Sequence, residues 1–176
     1  MAERDVEVFG PVLKRLVEVG EKVSSEEEFA MLLDTITDAT NEVLDAEAAS
    51  LLLLEENSNT LLFKSASGVK KDVVKGVRLD MGEGVAGTVA VTGKALIVNE
   101  PQKDQRHEAF LASLIEFAPK NLICVPLKDK GVVIGVLEVL NKREGAFTEE
   151  DKSLLETLAA KVAPIVVKAR GASLID

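Results

Sequence analysis

The stretch NLICVPLKDKGVVIGVLEVLNK, residues 121–142, carries the clearest structural signal in the sequence. Two apolar, β-branched runs of strand length are separated by Asp129-Lys130-Gly131, a combination typical of a tight turn between antiparallel strands. In the second run, the two-residue alternation of a strand places one set of side chains on a common face: Val132, Ile134, Val136, Glu138 and Leu140. The sequence therefore predicts a β-hairpin with one carboxylate on an otherwise apolar face.

Further runs of strand length lie upstream of this hairpin. AASLLLLEE (48–56) and TLLFKSASG (60–68) flank the polar turn ENSN and predict a second hairpin, whose strands are antiparallel. The short runs VRLDM (77–81) and ALIVN (95–99) are interpreted as additional strands. The Gly-bounded segment GEGVAGTVAVTGK (82–94) between them is interpreted as a short helix. The middle of the chain is therefore expected to form an antiparallel sheet.

Helical patterns precede and follow these strands. Ser24 and Ser25 stand at capping-box spacing from Glu27 and Glu28, which predicts a helix that ends near Asp45. A final helix is predicted from Thr148, with Asp151 as its capping partner and a kink at Pro164. Strands joined by hairpins and covered by terminal helices indicate the α+β class.

Residues 2–23 predict a helix with a heptad-like apolar stripe. Gly20 occupies one position of the stripe, and apolar side chains occupy the others: Val6, Phe9, Leu13, Leu16 and Val23. The stripe fits either packing on the helix's own domain or a seam between two copies, and the second interpretation is favoured. A homodimer bundle of the N- and C-terminal helices is therefore expected. The predicted division is a helix over 1–24, one domain over 25–170 and a tail over 171–176.

Composition excludes several classes of function. The 176 residues carry a net charge of −9, with 3% aromatic residues, so a nucleic-acid partner is not expected. The sequence contains neither an apolar run of membrane-spanning length nor a signal-peptide pattern at its start, and no membrane association is expected. The single cysteine suits a reducing compartment, and cytoplasmic localisation is expected.

The order and spacing of these segments resemble the GAF domain family over roughly residues 26–168. Besides the strand pattern and the GEGVAGTVAVTG segment, the chain matches the family's NK…F…D signature. Lys152 stands where the family has a following Glu. The four matching residues, for which a structural role is expected, are Asn141, Lys142, Phe147 and Asp151. The resemblance implies a six-stranded antiparallel sheet flanked by helices on both faces, and a ligand pocket between one face and the short connecting helices.

The resemblance also implies positions for that pocket. In cyclic-nucleotide-binding GAF domains, pocket positions align with Ser50, with Ala66 and Ser67, with Val85 and Ala86, and with Glu138. Ala66 stands where those domains use a stacking aromatic residue. Further polar positions align with Ala112, Ile115 and Pro119, which have no polar side chain. Residues 104–118 are expected to form a short helix or ordered loop that gives an apolar wall with Phe110, Ile115 and Phe117.

The glycines at 82, 84 and 87 spell G-x-G-x-x-G, but the surrounding pattern lacks the parallel crossover of a dinucleotide fold. They are interpreted as a tight turn into a helix. Free N–H groups around Gly84 to Ala86 could receive an oxygen atom of a ligand. Glu138 has two interpretations, a partnered carboxylate inside the core or a polar anchor in the pocket.

The remaining reactive side chains favour no catalytic or metal site. His107 lies in a polar segment and is interpreted as solvated, and Cys124 is interpreted as a small buried hydrophobic residue. One His and one Cys provide no zinc constellation. Sulfoxide-reducing proteins with a GAF fold need more than one cysteine, so the chain is not expected to be an enzyme.

The leading hypothesis is a sensory domain for signal transduction that binds a small molecule and transmits its occupancy through the terminal helices. The alternatives are a ligand-free dimerisation or interaction module and a cyclic-nucleotide-binding domain. The sequence identifies no cofactor, and the expected ligand is an unidentified small molecule.

Overall fold

An antiparallel six-stranded sheet with helices on both faces organises the chain. The structure is a computed structural model that describes residues 3–68, 71–106 and 119–174. The strands are β1 (Ala46–Leu54), β2 (Thr60–Ser67), β3 (Arg78–Asp80), β4 (Leu96–Val98), β5 (Leu122–Asp129) and β6 (Val132–Lys142). The helices are α1 (Glu3–Glu21), α2 (Glu26–Leu44), α3 (Lys71–Val74), α4 (Gly84–Thr92) and α5 (Glu149–Ser173), with a 3-10 turn at Pro101–Lys103. The sheet order is β3-β2-β1-β6-β5-β4, so the α+β prediction is confirmed.

The hairpin that dominates the sequence forms as predicted. Lys130 and Gly131 both adopt positive φ, 50° and 79°, as a two-residue turn between right-twisted strands requires. β5 and β6 pair antiparallel along most of their length. Local turn chemistry and apolar alternation therefore suffice to specify this part of the sheet.

The predicted face of β6 is correct in its second half and wrong at Ile134. Val136 and Leu140 lie on the face covered by α4, whereas Ile134 packs with the cluster under the long helices. The pairing of β5 with β6 shifts register between Leu127 and Lys128. Such a bulge adds an unpaired residue and reverses which face the following side chains occupy.

Two apolar clusters lie on opposite faces of the sheet. The larger one packs α1, α2 and α5 against one face, with Leu51, Leu137 and Val139 contributed by the sheet. The smaller one packs α3 and α4 against the other face, around Leu52 and Val136. The second face is where the sequence places the pocket.

Three residues of the predicted apolar stripe are buried within this single chain. Phe9 and Leu16 are each 1% exposed, and Val23 is also buried, all in the larger cluster. A Cβ on Gly20 would lie 2.7 Å from Cγ2 of Ile165, so the glycine lets α1 approach α5 closely. These residues thus pack on their own domain, which was the less favoured of the two interpretations.

The capping predictions are confirmed at the starts of α2 and α5. Ser25 accepts a hydrogen bond from the Glu28 N–H, and Thr148 and Asp151 form a reciprocal capping box. α5 continues through Pro164 as one helix and extends to Ser173, three residues beyond the expected domain boundary at 170. None of the helices in the described ranges is both long and apolar enough to cross a membrane.

Candidate functional site

A row of five residues crosses the sheet beneath α4. Strand register sets Ala66 opposite Ser50, Ser50 opposite Glu138, Glu138 opposite Cys124, and Cys124 opposite Leu96. Directly paired residues project from the same face. We call Ala66, Ser50, Glu138, Cys124 and Leu96 the Glu138 row. The structure thus brings together three predicted pocket residues from three strands: Ala66, Ser50 and Glu138.

Glu138 is the ionisable group of this row. The residue is half-buried, and within the described residues its carboxylate has neither a hydrogen bond nor an ion pair. Burial raises the pKa of the carboxyl from its ordinary value of 4.5 to about 7, because a low-polarity environment penalises the charged form. The group therefore changes charge near neutral pH and can either donate or accept a hydrogen bond there.

Cys124 lies beside Glu138, and its thiol is expected to be unreactive. The residue is 0% exposed, and burial, helped by the neighbouring Glu138, raises the pKa of its thiol well above the ordinary value. A thiol held in its protonated form is a poor nucleophile. The side chain therefore behaves as the buried hydrophobic residue that the sequence predicted.

The amino end of α4 faces the same side of the sheet. Gly84, Val85 and Ala86 are buried, and the first hydrogen bond of the helix runs from the Gly87 N–H to the Glu83 carbonyl. No described residue accepts a hydrogen bond from the N–H groups of Gly84, Val85 or Ala86. These three donors, with the positive end of the helix dipole, suit an oxygen atom of a ligand.

The glycine motif serves this close approach. Gly82 and Gly84 have φ of 88° and 66°, a region that disfavours other residues. A Cβ on Gly87 would lie 2.7 Å from the Asp80 carbonyl oxygen and 2.9 Å from the Gly82 nitrogen. Because the sheet is antiparallel throughout, the motif is a tight turn into a helix, and the dinucleotide interpretation fails.

Not all predicted pocket residues join the Glu138 row. The Ser67 hydroxyl accepts a hydrogen bond from Nδ2 of Asn41 in α2, at 2.7 Å, and another from the Ala49 N–H, at 3.2 Å. It therefore lies on the opposite face from Ala66, as strand alternation demands. Phe110 and Ile115 lie outside the described residues, as do Ala112, Phe117 and His107, while Pro119 is buried.

The NK…F…D signature ties β6 to α5. Lys142 Nζ donates to Asp151 Oδ2 at 2.5 Å, and Phe147 is buried in the larger cluster. Burial works against ionisation of Asp151, but hydrogen bonds from Lys142 and the Thr148 N–H outweigh it and lower the carboxyl pKa. Asn141 holds φ at 58° while its Oδ1 accepts from the Lys120 N–H at 2.7 Å. These contacts link the end of β6 to α5 and to Lys120.

Two asparagines that sequence reasoning missed complete this arrangement. Asn99 bonds both the N–H and the carbonyl of Phe147, at 3.0 and 3.1 Å. Asn121 accepts from the Lys142 N–H and donates to the Gly145 carbonyl. Both residues replace backbone partners where a strand ends, and only their position beside a strand end could have indicated that role.

Comparisons with known proteins agree with this architecture. The family model described as GAF domain matches residues 26–167. The probable 3′,5′-cyclic phosphodiesterase pde-5 of Caenorhabditis elegans is 32% identical over 126 residues, which cover 66% of this chain and 17% of that protein. The chain therefore spans less than a fifth of the length of this relative.

Solved structures share the fold at low sequence identity. The GAF domain from Acinetobacter phosphoenolpyruvate-protein phosphotransferase superposes with a TM-score of 0.76 at 23% identity, covering 99% of this chain and 100% of that one. A free methionine-R-sulfoxide reductase from Neisseria meningitidis, solved with its substrate, gives 0.74 at 20% identity, covering 98% and 95%. At such identities the likeness concerns the fold alone. With the family model matching most of its length and the sheet having the expected strands, the chain belongs to the GAF domain family.

Proposed function

We propose that this domain is a regulatory module that binds a small molecule between the Glu138 row and the amino end of α4. The observation that carries the proposal is the Glu138 carboxyl, which lacks a partner within the described residues and lies on an apolar face. An unpaired ionisable group in such surroundings is costly to fold, and a ligand group that hydrogen-bonds to it would offset that cost.

The hydrogen-bonding groups at the two ends of the proposed site restrict the chemical class of the ligand. The N–H groups of Gly84, Val85 and Ala86 favour a carbonyl, carboxylate or phosphate oxygen. Glu138 and the neighbouring Ser50 hydroxyl favour an N–H or O–H group at the other end. The same face of the sheet is apolar, with Leu52 and Val136 in the smaller cluster, and it favours an apolar or flat middle part. The ligand is therefore a compact molecule with an oxygen acceptor and a separate hydrogen-bond donor.

A cyclic nucleotide is the second candidate, because it has both an anionic phosphate and a base edge with N–H donors. The similarity to a relative named as a probable 3′,5′-cyclic phosphodiesterase supports this candidate. Ala66 counts against it, since alanine offers no ring on which a base could stack. Nucleotide binding would have to rely on edge contacts to Glu138 and on the α4 donors.

A regulatory role is favoured over catalysis by the state of Cys124. Its full burial and raised pKa remove the one thiol from nucleophilic chemistry.

We propose further that two copies associate through the outer faces of α1 and α5, where Val17 and Val167 are 42% and 39% exposed. The inner stripe of α1 is already buried within the chain and is not available for that contact.

Thermal unfolding of the full chain tests ligand binding. The panel contains cyclic AMP, cyclic GMP, free nucleotides, amino acids and organic acids. A ligand at a hundred times its Kd adds about 2.7 kcal/mol, which raises the melting temperature of a domain of this size by roughly 5–10 °C.

Two variants separate the proposed site from surface effects. Glu138→Ala should abolish the shift, whereas Glu144→Ala, at an exposed position with no partner among the described residues, should retain it. A shift that survives Glu138→Ala would place the ligand elsewhere. If no compound changes the melting temperature of the wild type, the sensory proposal fails and the ligand-free interaction module is favoured.

A further inference from the structure

The contact between α2 and the end of β2 is polar, although most of α2 packs through apolar side chains. The Ser65 hydroxyl donates to Asp34 Oδ1 at 2.6 Å and lies 3.0 Å from the Thr37 hydroxyl. Asn41 donates to the Ser67 hydroxyl at 2.7 Å. Ser65 and Thr37 are both fully buried. We call Asp34, Thr37, Asn41, Ser65 and Ser67 the polar seam.

One hydrogen-bond acceptor of the polar seam has no partner among the described residues. Asn41 Oδ1 is buried and receives no hydrogen bond from the described residues. The Ser67 hydroxyl donates only to the Ala49 carbonyl, at 3.5 Å, which is a long and weak bond. A half-turn of the Asn41 amide would let Ser67 donate to Oδ1 instead of accepting from Nδ2. Two hydrogen-bond arrangements are therefore available, and each leaves one group unsatisfied.

The pairing of β2 is irregular at this point. Its pairing with β1 changes register between Leu51 and Leu52, which leaves Lys64 unpaired as a bulge directly before Ser65. The ladder between β2 and β3 involves only residues 60–62. The last residues of β2 are thus held on one side by β1 and through their side chains by α2. Hydrogen bonds between hydroxyl and amide groups can change partners without the loss of interlocked apolar packing.

Three consecutive residues of β2, Ser65 to Ser67, face alternate sides of the sheet. Ala66 belongs to the Glu138 row, whereas Ser65 and Ser67 on either side of it bond to α2. A movement of Ala66 must therefore move both serines, because they are covalent neighbours. We propose that the polar seam transmits changes in the Glu138 row to α2, by exchange between its two hydrogen-bond arrangements. This inference rests on the proposed ligand-binding role of the row.

Amide hydrogen exchange of the full chain, measured by mass spectrometry at one fixed pH without any ligand, tests the seam. Glu138→Gln changes the row, and exchange of α2 peptides reports on the other face. We expect Glu138→Gln to change the α2 exchange rates about threefold or more in the wild-type background.

The background variants make the test specific to the seam. Ser67→Ala removes the hydroxyl that both arrangements share and should remove the effect of Glu138→Gln on α2, whereas Ser67→Thr, which keeps the hydroxyl, should restore it. Thr35→Val is the matched control, because Thr35 bonds only to the Met31 carbonyl of its own helix, and the effect should persist there. Unchanged α2 exchange in Glu138→Gln, or an effect that persists in Ser67→Ala, would overturn the proposal.

The exchange experiment tests the polar seam separately from the ligand-binding proposal, which the melting-temperature panel tests. If the exchange effect is present but no panel compound raises the melting temperature, the seam transmits and the sensory role fails. If a compound binds but the exchange effect is absent, the sensory role stands and another route must carry its signal.

Discussion

Replacement of Glu138 by its neutral isostere is the sharpest test of the electrostatics of the row. In the folded chain the carboxyl keeps its proton up to about pH 7, whereas in the unfolded chain it releases the proton above its ordinary value of 4.5. Between these values the folded state binds more protons than the unfolded state. The contribution of Glu138 to the free energy of unfolding therefore falls as pH rises from 4.5 to 7 and levels off above that. Glu138→Gln removes this contribution.

The expected magnitude follows from the interval between the two pKa values. Each pH unit across it corresponds to about 1.4 kcal/mol, so the full loss amounts to at most about 3.5 kcal/mol. Because Glu138 is half-buried, water and local relaxation will reduce this figure. The free energy of unfolding of Glu138→Gln, taken relative to that of the wild type, should therefore increase by about 1–3 kcal/mol as the pH rises from 4.5 to 8.

Urea unfolding of both proteins at several pH values measures this difference. The contribution of Asp151, whose pKa is lowered, and of every other shared group cancels in the difference between the two proteins. Glu144→Gln serves as control, because that side chain is exposed and its difference from the wild type should be flat across the range. A flat difference for Glu138→Gln, or one in which the variant loses stability as pH rises, would refute the reasoning.

Three other predictions concern packing, reactivity and association. Gly87→Ala should cost about 1–3 kcal/mol in urea unfolding, because its Cβ meets backbone atoms, whereas Gly171→Ala, where a Cβ meets nothing within 4 Å, should be neutral or mildly stabilising. Cys124 should resist thiol reagents in the native state and react only at the rate of global unfolding; rapid native labelling would contradict its burial. Sedimentation should show a dimer that Val17→Glu weakens, while Val91→Glu, at an exposed position of α4 on the other face of the sheet, leaves it intact; a wild-type monomer at high micromolar concentration would remove the association proposal.

The candidate site was predictable where strand alternation acts alone. Glu138 could be placed on an apolar face of β6 because a two-residue period fixes the face of each side chain, whereas Ser50 was named only through the family resemblance. Ser67 shows the limit of arguing from resemblance, since alternation already forbids neighbours Ala66 and Ser67 from facing the same side. Ile134 shows a different limit. The bulge that turns it depends on pairing between β5 and β6, and no local signal in the sequence marks it.

What the sequence determined by itself is therefore local: the Lys130-Gly131 turn, the caps at Ser25 and Thr148, and the alternation along the second half of β6. These depend on backbone geometry and on neighbours within four residues. Only the tertiary structure decided that the α1 stripe packs within its own chain, that Glu138 meets Ser50 and Cys124 in one row, and that Asn99 holds Phe147. Each of these depends on surfaces brought together from distant parts of the chain, and an amphipathic pattern states that a face will be covered without stating by what.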